Sequence, residues 1–224
     1  MQFGLNPTPC HPPRARSDVT RPRLAILDYG IGNLHSALKG FDRAGADVRL
    51  TADRADIEAA DGIVLPGVGA FGPCVEALRM RGLDKVALER VGSGVPFFGI
   101  CIGMQLLFAS SEEAEGQRGL GVFERRVVQI PAGVKRPQMQ WNILQYCDGD
   151  HPMFAGLGDE AWVYFVHSFS AEPGEDVLAT CAYGGDLVAA VARDNVWACQ
   201  FHPEKSGRNG IRILENFVAT VREA

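Results

Sequence analysis

The chain has 224 residues, 46% of them hydrophobic and 22% charged, with a formal net charge of -5. This composition is ordinary for a folded protein of one domain and supplies enough apolar residues for a sizeable core. The acidic balance, without a basic patch, argues against a nucleic-acid surface, and no apolar run reaches the ~18 residues that span a bilayer.

Residues 1–22 are rich in proline and arginine and contain no apolar segment of the kind that secretory signals carry. We interpret them as a disordered N-terminal extension, or as sequence that precedes the true start site, in front of a single domain of residues 23–224. A transit peptide is the alternative, although prolines disfavour the amphipathic helix that such peptides use.

The folded pattern begins with a short apolar strand at residues 23–27, which a glycine-rich turn follows at residues 28–33. Apolar residues then recur at helical spacing over residues 34–44, and Asn33 is placed to cap that helix. Residues 46–50 have the pattern of the next strand. The order strand–helix–strand predicts a parallel sheet.

A further buried strand at residues 62–65 ends in a proline- and glycine-rich turn at residues 66–71. Gly67, Val68 and Gly69 of this turn are candidates for an oxyanion site, because glycine lets backbone N–H groups point into a cleft. A plain strand-to-helix turn is the alternative. One or two amphipathic helices are predicted to follow.

Residues 96–105 carry the pattern on which the functional interpretation depends. A short apolar run leads into Gly99-Ile100-Cys101-Ile102-Gly103, and a helix-like apolar pattern continues to Phe108. This is the nucleophile-elbow pattern, in which a strand turns sharply into a helix, with cysteine in the serine position. The N-terminus of the helix favours the thiolate, which is the reactive form. A buried structural cysteine at a strand end is the alternative.

The character of the sequence changes after Leu120. Short strand-like segments with almost no helical patterns between them predict antiparallel pairs, and Gly184 and Gly185 mark a hairpin turn. An amphipathic helix closes the chain. The strand-like segments are residues 122–130, 141–144, 162–168, 177–183, 187–193 and 196–201.

His202 and Glu204 follow the last of these strands. In an extended segment residues two apart point the same way, and Pro203 keeps His202 out of a helix, so we expect both side chains on one face. A carboxylate beside an imidazole holds its tautomer and stabilises the imidazolium. With Cys101 as nucleophile, the three side chains predict acyl transfer or amide hydrolysis through a thioester. The N–H of Ile102 is one expected oxyanion donor.

Five segments together resemble the class I glutamine amidotransferases, and more closely the family of glutaminase subunits of imidazole glycerol phosphate synthase. Gly-x-Cys-x-Gly and His-Pro-Glu are shared across the class, whereas Asp-Tyr-Gly-x-Gly-Asn-Leu and His-Pro-Glu-Lys-Ser-Gly are specific to the subunit family. The resemblance implies an α/β fold with a central, mostly parallel sheet flanked by helices and antiparallel strands in the C-terminal half. The segments are residues 28–34, 65–71, 99–108, 164–168 and 200–207.

The resemblance also implies the reaction, which is hydrolysis of L-glutamine to glutamate and ammonia. It makes Cys101 the nucleophile, His202 the general base and acid, and Glu204 the orienting carboxylate. The implied oxyanion strand, which is switchable in the family, consists of Gly67, Val68 and Gly69. The implied substrate-binding groups are the side chain of Gln105 and the backbone at His167, Ser168 and Phe169.

A separate (β/α)8-barrel cyclase subunit is the implied partner, forming a heterodimer with this chain. It would use the ammonia to make imidazole glycerol phosphate and aminoimidazole carboxamide ribotide in histidine biosynthesis. At a loop facing the cyclase the family shows Pro-His-Met-Gly-Trp-Asn, whereas this chain has Gln138 and Gln140 in place of His and Gly. If position 140 needs a positive φ, glutamine there costs ~1 kcal/mol or more. The implied interface residues are Asn33, Met139, Trp141, Asn142 and Tyr164.

The cysteines show neither zinc spacing nor the pattern of a disulfide framework, so a reducing cytoplasm fits best. We expect no metal, no cofactor, and no nucleic-acid or membrane partner. The six cysteines are Cys10, Cys74, Cys101, Cys147, Cys181 and Cys199.

Three other interpretations stay open. One is the glutaminase subunit of another class I amidotransferase, such as the one that feeds pyridoxal phosphate synthase, although Asp28-Tyr29-Gly30 argues against it. Another is a non-enzymatic regulatory subunit on the same scaffold. The third is a cysteine hydrolase of the same α/β type that acts on a different acyl substrate.

Overall fold

The computed structural model describes residues 21 to 224, which form thirteen strands, six α-helices and two 3₁₀ turns. The strands are β1 (Arg23–Leu27), β2 (Asp47–Thr51), β3 (Gly62–Gly67), β4 (Phe97–Cys101), β5 (Phe108–Ser111), β6 (Phe123–Gln129), β7 (Gln138–Ile143), β8 (Gln145–Tyr146), β9 (Trp162–His167), β10 (Phe169–Ala171), β11 (Val177–Ala182), β12 (Asp186–Arg193) and β13 (Val196–Cys199). The helices are α1 (Leu34–Arg43), α2 (Arg54–Glu58), α3 (Phe71–Met80), α4 (Leu83–Gly92), α5 (Ile102–Leu106) and α6 (Gly207–Glu223), and the 3₁₀ turns are Pro152–Phe154 and Pro203–Lys205.

The predicted N-terminal extension of residues 1–22 lies outside the described residues except for its last two. Arg21 donates a side-chain hydrogen bond to the carbonyl of Asp42 at 2.9 Å. Pro22 is buried, and its carbonyl accepts from the N–H of Asp47 at 2.9 Å. These contacts attach the start of the described chain to α1 and β2.

One eight-stranded sheet forms the centre of the fold, in the order β2-β1-β3-β4-β13-β12-β11-β8. The pairs from β2 through β13 are parallel, and the pairs from β13 through β8 are antiparallel. The predicted combination of a mostly parallel sheet with antiparallel C-terminal strands is therefore confirmed. Two smaller sheets, β10-β6-β5 and β7-β9, accompany it.

The parallel arrangement brings three strand ends together. β3 ends at Gly67, which lies in register with Cys101 at the end of β4, and β13 pairs with the other side of β4. Ligands of parallel α/β sheets bind beyond the carboxyl ends of the strands, because the connecting turns meet there. The segments that follow β3, β4 and β13 carry the predicted oxyanion turn, the candidate nucleophile and the candidate histidine.

A cluster of aromatic rings fixes β4 and β13 against two helices. Phe98 of β4 lies 5.1 Å from Phe217 of α6 and 6.2 Å from Phe41 of α1, measured between ring centroids. Trp197 of β13 lies 5.6 Å from Phe217. Buried aromatic pairs contribute about 0.5–1.5 kcal/mol each beyond their buried area. The cluster thus packs β4 and β13, the two strands that carry the site, firmly against α1 and α6.

Two predictions about helices need correction. The helical pattern expected through Phe108 ends earlier, because α5 stops at Leu106 and Phe108 begins β5. Phe108 stacks on Phe123 of the paired strand β6 with a centroid distance of 5.0 Å, a contact between distant segments that local periodicity does not show. Asn33 stands at the N-cap of α1, but its side-chain oxygen accepts from the Ser36 hydroxyl rather than from a backbone N–H.

Within residues 21 to 224 there is no helix with the length and apolar character needed to cross a membrane.

Candidate active site

Cys101 occupies a sharp turn between β4 and α5. Its backbone has φ 56° and ψ -112°, a left-handed conformation that a non-glycine residue adopts only at a cost in free energy. Strain of this kind is typical of functional sites, where the surrounding structure holds the residue in place. Cys101 is 3% exposed, and α5 starts at the next residue, Ile102. The turn predicted from the glycine–cysteine pattern is therefore present.

His202 and Glu204 form a buried pair beyond the end of β13. The Nδ1 atom of His202 lies 2.8 Å from Oε1 of Glu204, and the two side chains are 2% and 3% exposed. Because a carboxylate only accepts hydrogen bonds, Nδ1 carries the proton and donates it. The predicted pairing holds, but its predicted cause is wrong: Glu204 lies in the 3₁₀ turn Pro203–Lys205, not in an extended segment.

The backbone of His202 is held from two sides. Its N–H donates to the carbonyl of Tyr164 in β9, at 2.9 Å. Its carbonyl accepts from the hydroxyl of Ser206 at 2.6 Å, and the same hydroxyl accepts from the N–H of Tyr164 at 2.9 Å. These three bonds fix the backbone of His202 against β9, and the contact between Nδ1 and Glu204 orients the ring.

The charge state of His202 is set by its neighbours. Burial by itself lowers the pKa of the imidazole, but the adjacent Cys101 sulfur and the Glu204 carboxylate together outweigh burial and raise that pKa to about 10. An imidazolium is thus favoured at neutral pH, and it is the natural partner of a thiolate. The Nε2 atom is buried and has no hydrogen-bond partner among the described residues, so it is free to give a proton to a bound molecule.

The turn after β3 is tied to its surroundings by two side chains. Tyr29 donates its hydroxyl hydrogen to the carbonyl of Pro66 at 2.8 Å, and Cys74 of α3 donates its thiol hydrogen to the carbonyl of Val68 at 3.5 Å. Gly69 has φ +99°, which glycine adopts without strain. As the first residue of α5, Ile102 has no intrahelical acceptor for its N–H.

A cavity of about 510 Å³ opens over Cys101 and His202. Its walls include most of the predicted site residues, with Val68, Gly69 and Ile102 on one side and His167, Ser168 and Phe169 on another. Gly67 is not in the wall of this cavity, and Glu204 lies behind His202. Asn33 is the only predicted interface residue that lines it.

Glu113 also lines the cavity, and sequence reasoning missed it. Its Oε2 atom accepts from the N–H of Phe71 at 2.8 Å, at the start of α3. The chain has 27 acidic residues, and nothing in the local pattern after β5 separates Glu113 from the others. A carboxylate in the wall of a cavity is suited to hold an ammonium group.

Gln105 is 1% exposed and is engaged by the protein itself. Its Nε2 atom donates to the carbonyl of Phe169 at 3.2 Å and to Oε1 of Gln200 at 2.9 Å. The Phe169 carbonyl also lies 2.8 Å from Nδ1 of His167. The oxygen of the Gln105 amide has no partner among the described residues, so it remains as a buried acceptor beside the cavity.

The two glutamines that depart from the family pattern have different surroundings. Gln138 is fully buried in β7, where it lies opposite His167 of β9, so it does not belong to an exposed, partner-facing loop as expected. Gln140 is exposed in the same strand, and its φ is not positive. The conformational cost considered for Gln140 therefore does not arise, because a strand position suits any residue except proline.

Gln138 and His167 form a buried hydrogen-bonded pair, with Oε1 of the glutamine 3.0 Å from Nε2 of the histidine. Burial lowers the pKa of His167 to about 4, so the ring is neutral near pH 7. A neutral ring that donates through Nδ1 to the Phe169 carbonyl must accept at Nε2. Rotating the Gln138 amide by half a turn meets this requirement and turns its oxygen toward the Cys181 thiol.

The outer surface of β7 and β9 exposes large apolar side chains. Met139 is 61% exposed, Trp141 47% and Trp162 45%. Trp141 packs edge-on against Tyr164 with a centroid distance of 6.0 Å. Asn142 donates its side-chain amide to the carbonyl of Ala182 at 3.0 Å, so its side chain braces β7 rather than standing free. A contiguous exposed apolar surface is typical of a protein–protein contact.

Comparison with known proteins agrees with this geometry. The family model described as glutamine amidotransferase class-I matches residues 25–221. The imidazole glycerol phosphate synthase subunit HisH of Synechococcus elongatus is 48% identical over 211 residues, which cover 92% of this chain and 97% of that protein. The subunit of the same name from Methanothermobacter thermautotrophicus is 46% identical over 200 residues, covering 89% and 99%.

Two solved structures share the fold at low sequence identity. The structure of PurLQS from Thermotoga maritima has a TM-score of 0.72 at 19% identity and covers 89% of this chain and 99% of that chain. The glutaminase domain of CTPS from Trypanosoma brucei, solved with bound acivicin, has a TM-score of 0.65 at 16% identity, covering 90% and 94%.

The chain belongs to the class-I glutamine amidotransferase family, as its fold, its cysteine turn and the family match together show. Within that family its relatives at 45–48% identity are HisH subunits of imidazole glycerol phosphate synthase, which confirms the resemblance found in the sequence.

Proposed function

We propose that this chain is the glutaminase subunit of imidazole glycerol phosphate synthase and hydrolyses L-glutamine to glutamate and ammonia. The observation that carries the proposal is the buried group of Cys101, His202 and Glu204 at the carboxyl edge of the sheet. Cys101 and His202 line the 510 Å³ cavity, and Glu204 contacts His202 from behind. A strained cysteine beside an imidazole that a carboxylate orients is the arrangement that thioester chemistry requires.

In the proposed reaction the Cys101 thiolate attacks the side-chain carbonyl carbon of glutamine. The N–H of Ile102 and the backbone N–H groups of Val68 and Gly69, which line the cavity, stabilise the oxyanion that forms. The His202 imidazolium gives its Nε2 proton to the leaving nitrogen, so ammonia departs and a thioester remains. Water then attacks the thioester and transfers a proton to His202, which releases glutamate and restores the thiolate.

Two side chains in the wall of the cavity suit the α-ammonium group of glutamine. The unpartnered oxygen of Gln105 is an acceptor for the α-ammonium group, and the Glu113 carboxylate complements its charge. Backbone groups at His167 and Ser168 remain as further contacts. The carbonyl of Phe169 already accepts from Gln105 and His167, so its expected contact with substrate is indirect.

The partner in this proposal is a separate cyclase subunit of (β/α)8-barrel fold, which takes up the ammonia. The exposed surface of Met139, Trp141 and Trp162 on β7 and β9 is the docking surface that we expect, with Tyr164 and Asn142 supporting it. The cyclase then makes imidazole glycerol phosphate and aminoimidazole carboxamide ribotide. Heterodimer formation and a cytoplasmic location are parts of the proposal that rest on the resemblance.

The experiment that tests the proposed function measures glutamate release from glutamine by the purified chain, alone and with the cyclase plus its nucleotide ligand. We expect slow release by the chain alone and an increase on the order of tenfold or more in the liganded complex. Equal release in both conditions would show that the partner does not activate glutamine hydrolysis. A complex that forms but releases no glutamate would contradict the glutaminase function itself.

A second test removes the charge that supports His202. In Glu204→Gln the amide oxygen still accepts from Nδ1, so the tautomer is kept, but the carboxylate no longer raises the pKa of the imidazole. Because the imidazolium must deliver a proton, activity is lost as the pH rises through this pKa, and lowering the pKa moves that alkaline limit to lower pH. We expect the limit to fall by about one pH unit or more and kcat to fall by roughly 10²- to 10⁴-fold.

The pH profile of kcat/KM in the liganded complex checks this expectation. Glu215→Gln is the matched control, since Glu215 is 41% exposed on α6 and pairs only with Arg212 among the described residues. Its profile should coincide with that of the unaltered chain. An alkaline limit that stays in place in Glu204→Gln would show that Glu204 does not control the charge of His202.

A further inference from the structure

Gln200 is a fully buried polar residue that the proposed reaction leaves without a role. It follows β13 directly, is 0% exposed, and its N–H donates to the carbonyl of Ala189 at 2.8 Å. Its side chain reaches two groups of the site at once. The Nε2 atom lies 3.8 Å from Sγ of Cys101, and the Oε1 atom lies 2.9 Å from Nε2 of Gln105.

The orientation of the Gln200 amide is determined by a chain of contacts that begins at Phe169. The Phe169 carbonyl only accepts hydrogen bonds, so Gln105 must present its NH₂ group to it. The second hydrogen of that NH₂ group points to Gln200, which must therefore present its oxygen to Gln105. Gln200 is left with its own NH₂ group facing the sulfur of Cys101.

This arrangement matters because a buried thiolate needs hydrogen-bond donors. A hydrogen bond to a charged acceptor is roughly twice as strong as a neutral one, and a buried charge without a donor is costly. Cys199 provides a contrast in the neighbouring strand. Its sulfur is completely buried and lies 3.4 Å from the carbonyl of Phe201, which is an acceptor, and burial raises the pKa of its thiol well above the usual value.

Four other titratable groups lie around the Cys101 sulfur, and Gln200 acts on the charge of that sulfur separately from them. They are Tyr29, Cys74, Cys199 and His202. Burial raises the pKa of Tyr29, of Cys199 and, to about 11, of Cys74, so these three are neutral near pH 7. His202 supplies the positive charge. Among the described residues, Gln200 is the uncharged group that donates a hydrogen bond to the Cys101 sulfur.

We propose that Gln200 is a catalytic residue of the glutaminase reaction that donates a hydrogen bond to the Cys101 thiolate and, through its oxygen, positions Gln105 for substrate. The inference rests on the proposed function, since it concerns the same cysteine and the same substrate pocket. One amide thereby links the nucleophile to the substrate-binding side chain, so the two are aligned by a single group.

The test is the pH dependence of Cys101 alkylation by iodoacetamide, followed by mass spectrometry of the peptide that contains Cys101. In Gln200→Met, which keeps the length of the side chain and removes both polar contacts, the pH midpoint of alkylation should rise by about one unit. In the complex, kcat should fall about tenfold and KM should rise. Gln105→Met keeps the Gln200 side chain but removes the contact that orients its amide, so KM should rise and the alkylation midpoint should rise by less than in Gln200→Met.

Two further variants keep the outcome decisive. Gln138→Met replaces another fully buried glutamine, whose contacts are His167 and the Cys181 sulfur rather than the Cys101 sulfur. Its alkylation midpoint should therefore match that of the unaltered chain. Gln200→Glu has the size of the natural side chain and places an acidic group beside the sulfur, so its midpoint should rise even if Gln200→Met folds poorly. Thermal unfolding and binding to the cyclase verify folding in each case.

A folded Gln200→Met or Gln200→Glu protein with an unchanged midpoint would overturn the inference. Its failure differs from failure of the proposed function, because alkylation is measured on the chain alone without glutamine. If the unaltered complex released no glutamate while the midpoint still rose in both variants, the proposed function would fail and the contact between Gln200 and Cys101 would stand.

Discussion

Replacing Cys101 by alanine is expected to abolish glutamate release from glutamine, both in the chain alone and in the complex with the cyclase. The sulfur is the atom that attacks the substrate in the proposed reaction, and no other described cysteine lines the cavity. Removing the nucleophile of a triad lowers kcat on the order of a million-fold, because the remaining groups have no bond-forming partner. The expected activity therefore lies at the background of the assay.

The same variant should leave the fold and the partner's chemistry intact. Alanine fits the space of the buried cysteine, and the aromatic cluster around Phe98 that holds β4 is not altered. We expect the complex to form and to make its products from added ammonium at the normal rate. Loss of that ammonia-dependent reaction would show that Cys101 has a role beyond glutamine hydrolysis.

Cys199→Ala is the matched control. Cys199 is fully buried at the end of β13, next to β4, but it does not reach the cavity. Its replacement should cost about 1 kcal/mol of stability for the lost buried atom and leave glutamate release within a factor of two or so. Equal losses in Cys101→Ala and Cys199→Ala would point to a packing effect instead of a lost nucleophile.

The sheet could be predicted from the sequence because its strands have a local pattern. The opening strand–helix–strand order of residues 23–50 requires a parallel pair, and the glycine turn after Ala182 requires a hairpin; both are present. The register and neighbours of β4 could not be predicted, because β13 reaches β4 from almost a hundred residues away. α2 was missed since it has only five residues, although Asp53 caps it.

The candidate site was predictable only where a residue has an unusual neighbour in the sequence. Cys101 lies between two glycines, and His202 stands two residues before Glu204, so both were found. Glu113 has no such local signal, and the segment 200–207 that contains Gln200 does not reveal what Gln200 contacts, because both residues meet groups from other elements. Polar contacts between distant segments are properties of the folded chain, and a single sequence does not display them.

Gln138 shows how a resemblance can mislead about a particular position. The departure from the family pattern suggested a change at the partner surface, but the side chain points inward to His167. In a strand, alternate residues face opposite sides, so a change at one position says little about its neighbours. The surface that we propose for the cyclase includes the exposed side chains of Met139 and Trp141.

The second large effect is expected from Gly103→Ala, at the glycine that follows the cysteine turn. A Cβ atom on Gly103 would lie 1.7 Å from the carbonyl oxygen of Leu65 in β3 and 2.7 Å from its carbon. Both are backbone atoms in the centre of the sheet, so neither can rotate away. The methyl group must push α5 off β3, which costs roughly 3 kcal/mol or more of the free energy of unfolding.

Activity should be lost along with stability, because α5 carries Ile102 and Gln105. Displacing the helix by the width of a methyl group moves the oxyanion donor and the substrate acceptor away from Cys101, and displacements of about 1 Å are enough to cost 10²-fold in rate. We therefore expect Gly103→Ala to release no measurable glutamate even at temperatures where it is folded. Urea denaturation followed by tryptophan fluorescence measures the stability change, and the glutaminase assay measures the loss of activity.

Two other glycines give a graded series. At Gly99 the added Cβ would meet a flexible Leu107 methyl at 2.8 Å and the Gly103 carbonyl oxygen at 3.0 Å, so Gly99→Ala should cost less than Gly103→Ala. At Gly92, the last residue of α4, nothing lies within 4 Å, and alanine there should stabilise the helix by about 0.5–1 kcal/mol. The order of urea midpoints should thus be Gly92→Ala highest and Gly103→Ala lowest. Gly103→Ala could match the unaltered chain in both assays only if α5 moved away from β3 without disturbing the cysteine turn. That result would show that the close packing of α5 on β3 is not required for activity.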